Sequence, residues 1–112
     1  MALPQYQAAY GNLNVPEYKN NFVDADVEHV LVDVRTTMEY HSGHLPGAIN
    51  IPLGQAVYRR DEIPAGLPVV VVCATGNRSL AGSEELAAMG YNPVYNLQGG
   101  TMYWRMHGLP LE

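Results

Sequence analysis

The run Val69-Val70-Val71-Val72 ends in a single cysteine, Cys73, and is followed by Ala74-Thr75-Gly76-Asn77-Arg78-Ser79. Four consecutive valines fit a short strand covered on both faces. The residues from Arg78 to Met89 fit a helix, stopped by Gly90. Cys73 therefore stands where a strand gives way to a loop and a helix start. In open parallel sheets that is where ligands bind. The loop's N–H groups and the helix dipole favour a thiolate there, lowering its pKa from about 8.5. Gly76 gives the loop freedom to curl, and Arg78 adds a permanent cation with a planar donor fork suited to oxyanions. A lone cysteine after valines is also good core packing. A core cysteine, however, gains nothing from a glycine and an arginine arranged at a helix start. Thiolate nucleophile chemistry in an anion pocket is the expectation, with Arg78 as a plain surface ion pair the alternative.

The elements that must hold this loop follow from periodicity and punctuation. Val30 to Val34 is a second apolar run and a second central strand. Ala48 to Ile51, closed by Pro52, and Val94 to Leu97 are two more. Asn14-Val15-Pro16-Glu17 and Thr36-Thr37-Met38-Glu39 are capping-box patterns. They open short helices running to about Phe22 and to Gly43. Leu53 to Glu62 is expected to be helical, as is Thr101 to His107 with Trp104, after a Gly99-Gly100 turn. The first twelve residues show no element. Strands alternating with helices make an α/β domain, a mostly parallel central sheet with helices on both faces. Its expected extent is residues 12–112, after an N-terminal extension over 1–11.

Asp33 and Arg35, at the end of the other apolar strand, reach the same rim of the sheet and are candidates for pocket support. Charges at buried strand ends are normally paired. Arg35 is expected to pair with Glu39, while Asp33 accepts hydrogen bonds from neighbouring loops. His41 and His44 stand three apart, but Gly43 interrupts the helix between them, and no metal site or cofactor is expected.

At 112 residues, with 47% hydrophobic and 15% charged, the chain suffices for one core and not two. Six Lys+Arg against eleven Asp+Glu give −5, and Arg59-Arg60 is the only basic pair, so nucleic acid and anionic membranes are poor partners. The longest apolar stretch, Val69 to Ala74, is far too short to cross a bilayer. A cytoplasmic location is expected. With one cysteine, an intramolecular disulfide and a multi-thiolate zinc site are excluded.

The segment Cys73 to Ser79 resembles the active-site loop of the rhodanese family of sulfurtransferases. Leu31-Val32-Asp33-Val34-Arg35, Glu39-Tyr40 and Gly43-His44-Leu45-Pro46-Gly47-Ala48-Ile49-Asn50-Ile51-Pro52 are similar to that family's N-terminal signature. Leu97-Gln98-Gly99-Gly100 with Trp104 supplies a third block. These blocks span about Asn12 to the C-terminus in the family's order, at the length of its single-domain members. The resemblance implies a rhodanese-like fold and a catalytic Cys73 that carries sulfane sulfur as a persulfide. It also implies a cradle made of Ala74, Thr75, Gly76, Asn77, Arg78 and Ser79. The donor would be a small sulfur-containing anion such as thiosulfate, or a persulfide. The acceptor would be cyanide, a small thiol or a protein thiol. The loop counts six residues from Cys73 to Arg78. Related phosphatases have one more, so the shorter loop suits sulfur better than a tetrahedral phosphate. The competing class is a persulfide carrier or interaction module in a protein sulfur relay.

Overall fold

The computed structural model describes residues 9–112. Five parallel strands form one sheet in the order β1-β5-β4-β2-β3. They are β1 (Gly11–Leu13), β2 (Val30–Asp33), β3 (Ile49–Asn50), β4 (Val69–Val72) and β5 (Val94–Leu97). Valine-rich β4 lies in the middle. Its register pairs Val69 to Val72 with Val30 to Asp33 on one side, and Val69 to Val71 with Val94 to Asn96 on the other. All four of its residues are fully buried, as continuous hydrophobicity without alternation requires.

Successive side chains of a strand point to opposite faces. Val69, Val71 and Cys73 belong to a cluster with Leu86 of α3 (Arg78–Ala88). Val70 and Val72 belong to the cluster on the other face. There they pack with Val15 and Tyr18 of α1 (Val15–Tyr18) and Trp104 of α4 (Gly100–Met106). Helices thus cover both faces, and the two-residue period carries Cys73 to the α3 side. Gly82 lets α3 lie close: a Cβ there would come within 3.1 Å of Val34 and 3.2 Å of Val71.

Both capping boxes form, at Asn14 and Glu17 and at Thr36 and Glu39, the latter opening α2 (Thr37–His41). The first helix continues as a wider turn over Lys19–Val23. Three expectations differ from what is found. Leu53 to Glu62 forms turns and one short 3-10 turn, Arg60–Glu62, because Gly54 at φ +87° breaks the helical path at its start. The expected 1–11 extension falls largely on residues 1–8, which lie outside those described. Its last residue, Gly11, opens β1, a strand set by pairing with β5 rather than by local pattern. Third, Arg35 pairs with Asp33 and not with Glu39.

Candidate active site

Cys73 follows the last residue of β4, and its sulfur is fully buried. The chain then turns back over it. The backbone N–H of Gly76 donates to Sγ at 3.1 Å, and Sγ lies 3.4 Å from Ser79 Oγ. Burial pushes the thiol up. The hydrogen bond with the Ser79 side chain and those from the amides of Ser79, Thr75 and Gly76 outweigh it, so Cys73 titrates below the ordinary thiol value.

The curl depends on glycines in two adjoining turns. Gly76 has φ +97°, and a Cβ on it would meet the Gly99 amide nitrogen at 2.9 Å. Gly100 has φ +59°, and a Cβ there would lie 2.2 Å from the Cys73 carbonyl oxygen. This close approach lets Thr101 N–H donate to Cys73 O at 2.9 Å and Met102 N–H to Ala74 O at 3.0 Å. The start of α4 thus holds the Cys73 loop from behind by its carbonyls, leaving the loop's amides free to face the sulfur.

The other expected site residues divide. Ser79 and Gly76 touch the sulfur directly. Ala74 is half-buried, Thr75 and Asn77 are exposed, and Asn77 caps α3 without a side-chain hydrogen bond. Arg78 is turned onto Glu39, with Nη1 to Oε1 at 2.7 Å and Nη2 to Oε2 at 2.8 Å. Asp33 and Arg35 sit at the end of β2, both buried. The guanidinium donates to the carboxylate through Nε and Nη2 and reaches Gly43 O at 2.7 Å. Asn50 Nδ2 donates to the carbonyls of both residues at 3.0 Å. These bonds fix the end of β2 against the loop before β3, one strand away from the sulfur.

Glu39 was legible as a cap but not as the partner of Arg78. Its Oε1 accepts from the N–H and Oγ1 of Thr36 as well as from Arg78. The Arg78 hydrogen bond, with smaller help from Thr36 and against partial desolvation, lowers its pKa from 4.5 to about 2. The folded value lies below the unfolded one. The pair's contribution is therefore present above about pH 4.5 and is lost as pH falls toward 2. Both side chains are more than a third exposed, which limits the contribution to about 1 kcal/mol or less. The difference in melting temperature between wild type and Glu39→Gln, followed from pH 7 to pH 2, should begin to shrink below about pH 4.5 and be nearly gone at pH 2. A difference that persists at pH 2 would assign it to packing instead.

Two residues were missed altogether. Asn96 of β5 is 2% exposed, and its Oδ1 accepts the hydroxyl of Ser79 at 2.5 Å. Its Nδ2 donates to Asn12 Oδ1 of β1 at 3.1 Å. An asparagine within an otherwise apolar strand was the available signal, since a buried amide must have partners.

A family model for the rhodanese-like domain matches residues 14–107. The chain belongs to the rhodanese-like family. A sulfurtransferase from Allochromatium vinosum is 42% identical to this rhodanese-like chain over 88 residues, covering 78% of this chain and 82% of the relative. A putative sulfur carrier protein of Bacillus subtilis, YrkF, is 32% identical over 82 residues. That match covers 73% of this chain and 44% of the relative, so the rhodanese-like chain spans less than half of that longer protein. Among solved structures, a rhodanese-related protein from Thermoplasma volcanium superposes with a TM-score of 0.79 at 30% identity, covering 92% of this chain and 98% of the other.

Proposed function

We propose that this rhodanese-like chain is a sulfurtransferase that carries sulfane sulfur on Cys73. The observation that carries this reading is the sulfur itself, held between the Gly76 N–H and the Ser79 hydroxyl oxygen at the mouth of β4 and titrating below an ordinary thiol. In the first half-reaction the Cys73 thiolate attacks the outer sulfur of the donor. A new S–S bond forms, the donor's own S–S bond breaks, and sulfite leaves thiosulfate, or a thiolate leaves a persulfide, with the electron pair. In the second, cyanide or an acceptor thiolate takes the outer sulfur and Cys73 is returned as thiolate. The persulfide moves the reactive atom about 2 Å beyond the buried Sγ. Its negative charge is held by the same donors that held the thiolate. A reducing, cytoplasmic setting suits a lone functional thiol.

An open groove of about 510 Å³ borders the loop at Ala74 and Thr75 and runs along Thr101, Met102, Arg105 and Met106 of α4. It offers room for a small donor and, equally, for a segment of a protein. Likeness to the Bacillus sulfur carrier supports a second reading, a persulfide carrier in a protein relay. Intact mass after incubation of the reduced protein with thiosulfate, or separately with an organic persulfide, decides. A gain of one sulfur from thiosulfate supports the small-molecule enzyme, and a gain from persulfide alone supports the carrier. No gain from either overturns the sulfurtransferase reading.

Arg78 bears on the same distinction. Because Glu39 already neutralises much of its charge, Arg78→Ala should slow loading by about tenfold, less than the 10² to 10³ of an uncompensated oxyanion donor. The loss should be greater for anionic thiosulfate than for a neutral persulfide. Equal losses for both donors would assign Arg78 to loop support.

A further inference from the structure

The hydrogen-bond chain behind the sulfur has a direction. Asn96 Oδ1 carries no hydrogen, so the proton of its bond with Ser79 belongs to the serine hydroxyl. Ser79 then faces Cys73 with lone pairs only, and the sulfur satisfies it as a thiol, S–H donating to Oγ at 3.4 Å. Asn96 is held in this sense because its Nδ2 donates to Asn12 Oδ1. The chain Cys73, Ser79, Asn96, Asn12 is thus matched to the protonated sulfur. A thiolate needs the reverse order, in which Ser79 donates to the sulfur, Asn96 Nδ2 donates to Ser79, and Asn12 Nδ2 donates to Asn96. Every group in the chain can both donate and accept, so both orders satisfy all the buried partners. Asn12 is exposed, so its amide can turn over in water while Asn96 stays buried.

We infer that Asn96, anchored by Asn12, is a positioning residue that decides whether Ser79 offers the Cys73 sulfur a lone pair or a proton. It thereby sets how readily Cys73 ionises. The proton released on ionisation passes to water, and no proton travels through the amides, which only turn over. The help of the Ser79 hydroxyl in lowering the thiol's pKa is available in the reversed order alone. The charged groups around the sulfur are otherwise compensated: Arg78 from α3 by Glu39 from α2, and Asp33 from β2 by Arg35. From β5 and β1 the chain presents only the uncharged amides of Asn96 and Asn12. This inference rests on Cys73 being the sulfur-carrying group.

With one cysteine in the sequence, thiolate absorbance in the ultraviolet against pH, less the tyrosinate signal of Cys73→Ser in the same background, reports Cys73 alone. Asn96→Leu leaves the Ser79 hydroxyl no acceptor but the sulfur, so the titration midpoint should fall, by about one pH unit for a single gained hydrogen bond to an ionised group. Asn12→Asp presents acceptors only, locks the order found in the structure, and should raise the midpoint by a similar amount. The same Asn12→Asp change made in a Ser79→Ala background should leave the midpoint unmoved, because the chain is cut between them. An undiminished shift in that background would show simple charge repulsion and overturn the inference. So would an unchanged or raised midpoint in folded Asn96→Leu. If Asn96→Leu does not fold, the Asn12 and Ser79 cycle decides by itself. Sulfur loading by intact mass on wild type stands apart from these titrations. Its failure would remove the sulfurtransferase reading and leave the ionisation result in place.

Discussion

Cys73→Ser takes up no sulfur from thiosulfate or from an organic persulfide, and its transfer activity falls below a tenth of wild type. An alcohol is not ionised near neutral pH, and a bound hydroxyl cannot form the persulfide that both half-reactions share. The change keeps the shape of the side chain. Gly76 N–H still finds an acceptor and Ser79 still finds a partner, so the melting temperature should stay within about 5 °C, which corresponds to roughly 1 kcal/mol in a domain of this size. Intact mass and thermal unfolding on the same samples make the check. Sulfur uptake by the folded variant would remove Cys73 from the chemistry, since the sequence holds no second thiol.

Gly100→Ala should be the most damaging single methyl in the molecule. The position already has φ +59°, and the new Cβ would overlap Cys73 O at 2.2 Å and the Ala74 carbonyl carbon at 2.6 Å. Both are backbone atoms, so no side chain can swing aside. Relief requires the loop and α4 to part, which breaks the bonds from Thr101 N–H and Met102 N–H to the loop carbonyls. Each buried group left unpaired costs about 1–3 kcal/mol. With the strain added, the loss should exceed about 4 kcal/mol, a fall of roughly 15 °C or more in melting temperature. Gly47→Ala is the control. It has φ +82° but nothing within 4 Å of its Cβ, so it meets the conformational cost alone, about 1 kcal/mol. Equal melting temperatures for the two variants would show that the turn yields easily and does not brace the loop.

What the sequence made legible was whatever is decided within a few residues. The capping boxes at Asn14 and Thr36 close over three positions. The β4 valines carry their own evidence of double-sided burial, and Gly90, at φ +99°, ends α3 as expected. The illegible parts are decided across the fold. β1 has three residues and exists because β5 is beside it. Glu39 has Arg35 four residues before it, and sequence proximity favours that pairing. The fold instead brings Arg78 to it from 39 residues away, while Arg35 folds back on Asp33 two positions earlier. At the site, Cys73, Gly76 and Ser79 could be named from the loop alone. Asn96 could not, because a strand residue reveals its neighbour only when the strand order is known.

That strand order also governs timing. Asn12 and Asn96 are 84 residues apart, and β1 pairs with β5 alone. A chain made from its N-terminus holds β1 long before its partner exists. The strand waits unpaired, short enough to attract little misplaced pairing. The sheet cannot close on that side until β5 has left the ribosome. Closing so large a loop adds only slowly to the entropic cost, since that cost grows with the logarithm of length, but it places the closure late. The amide chain behind the sulfur therefore reaches its final form only once β5 has been made and has joined the sheet.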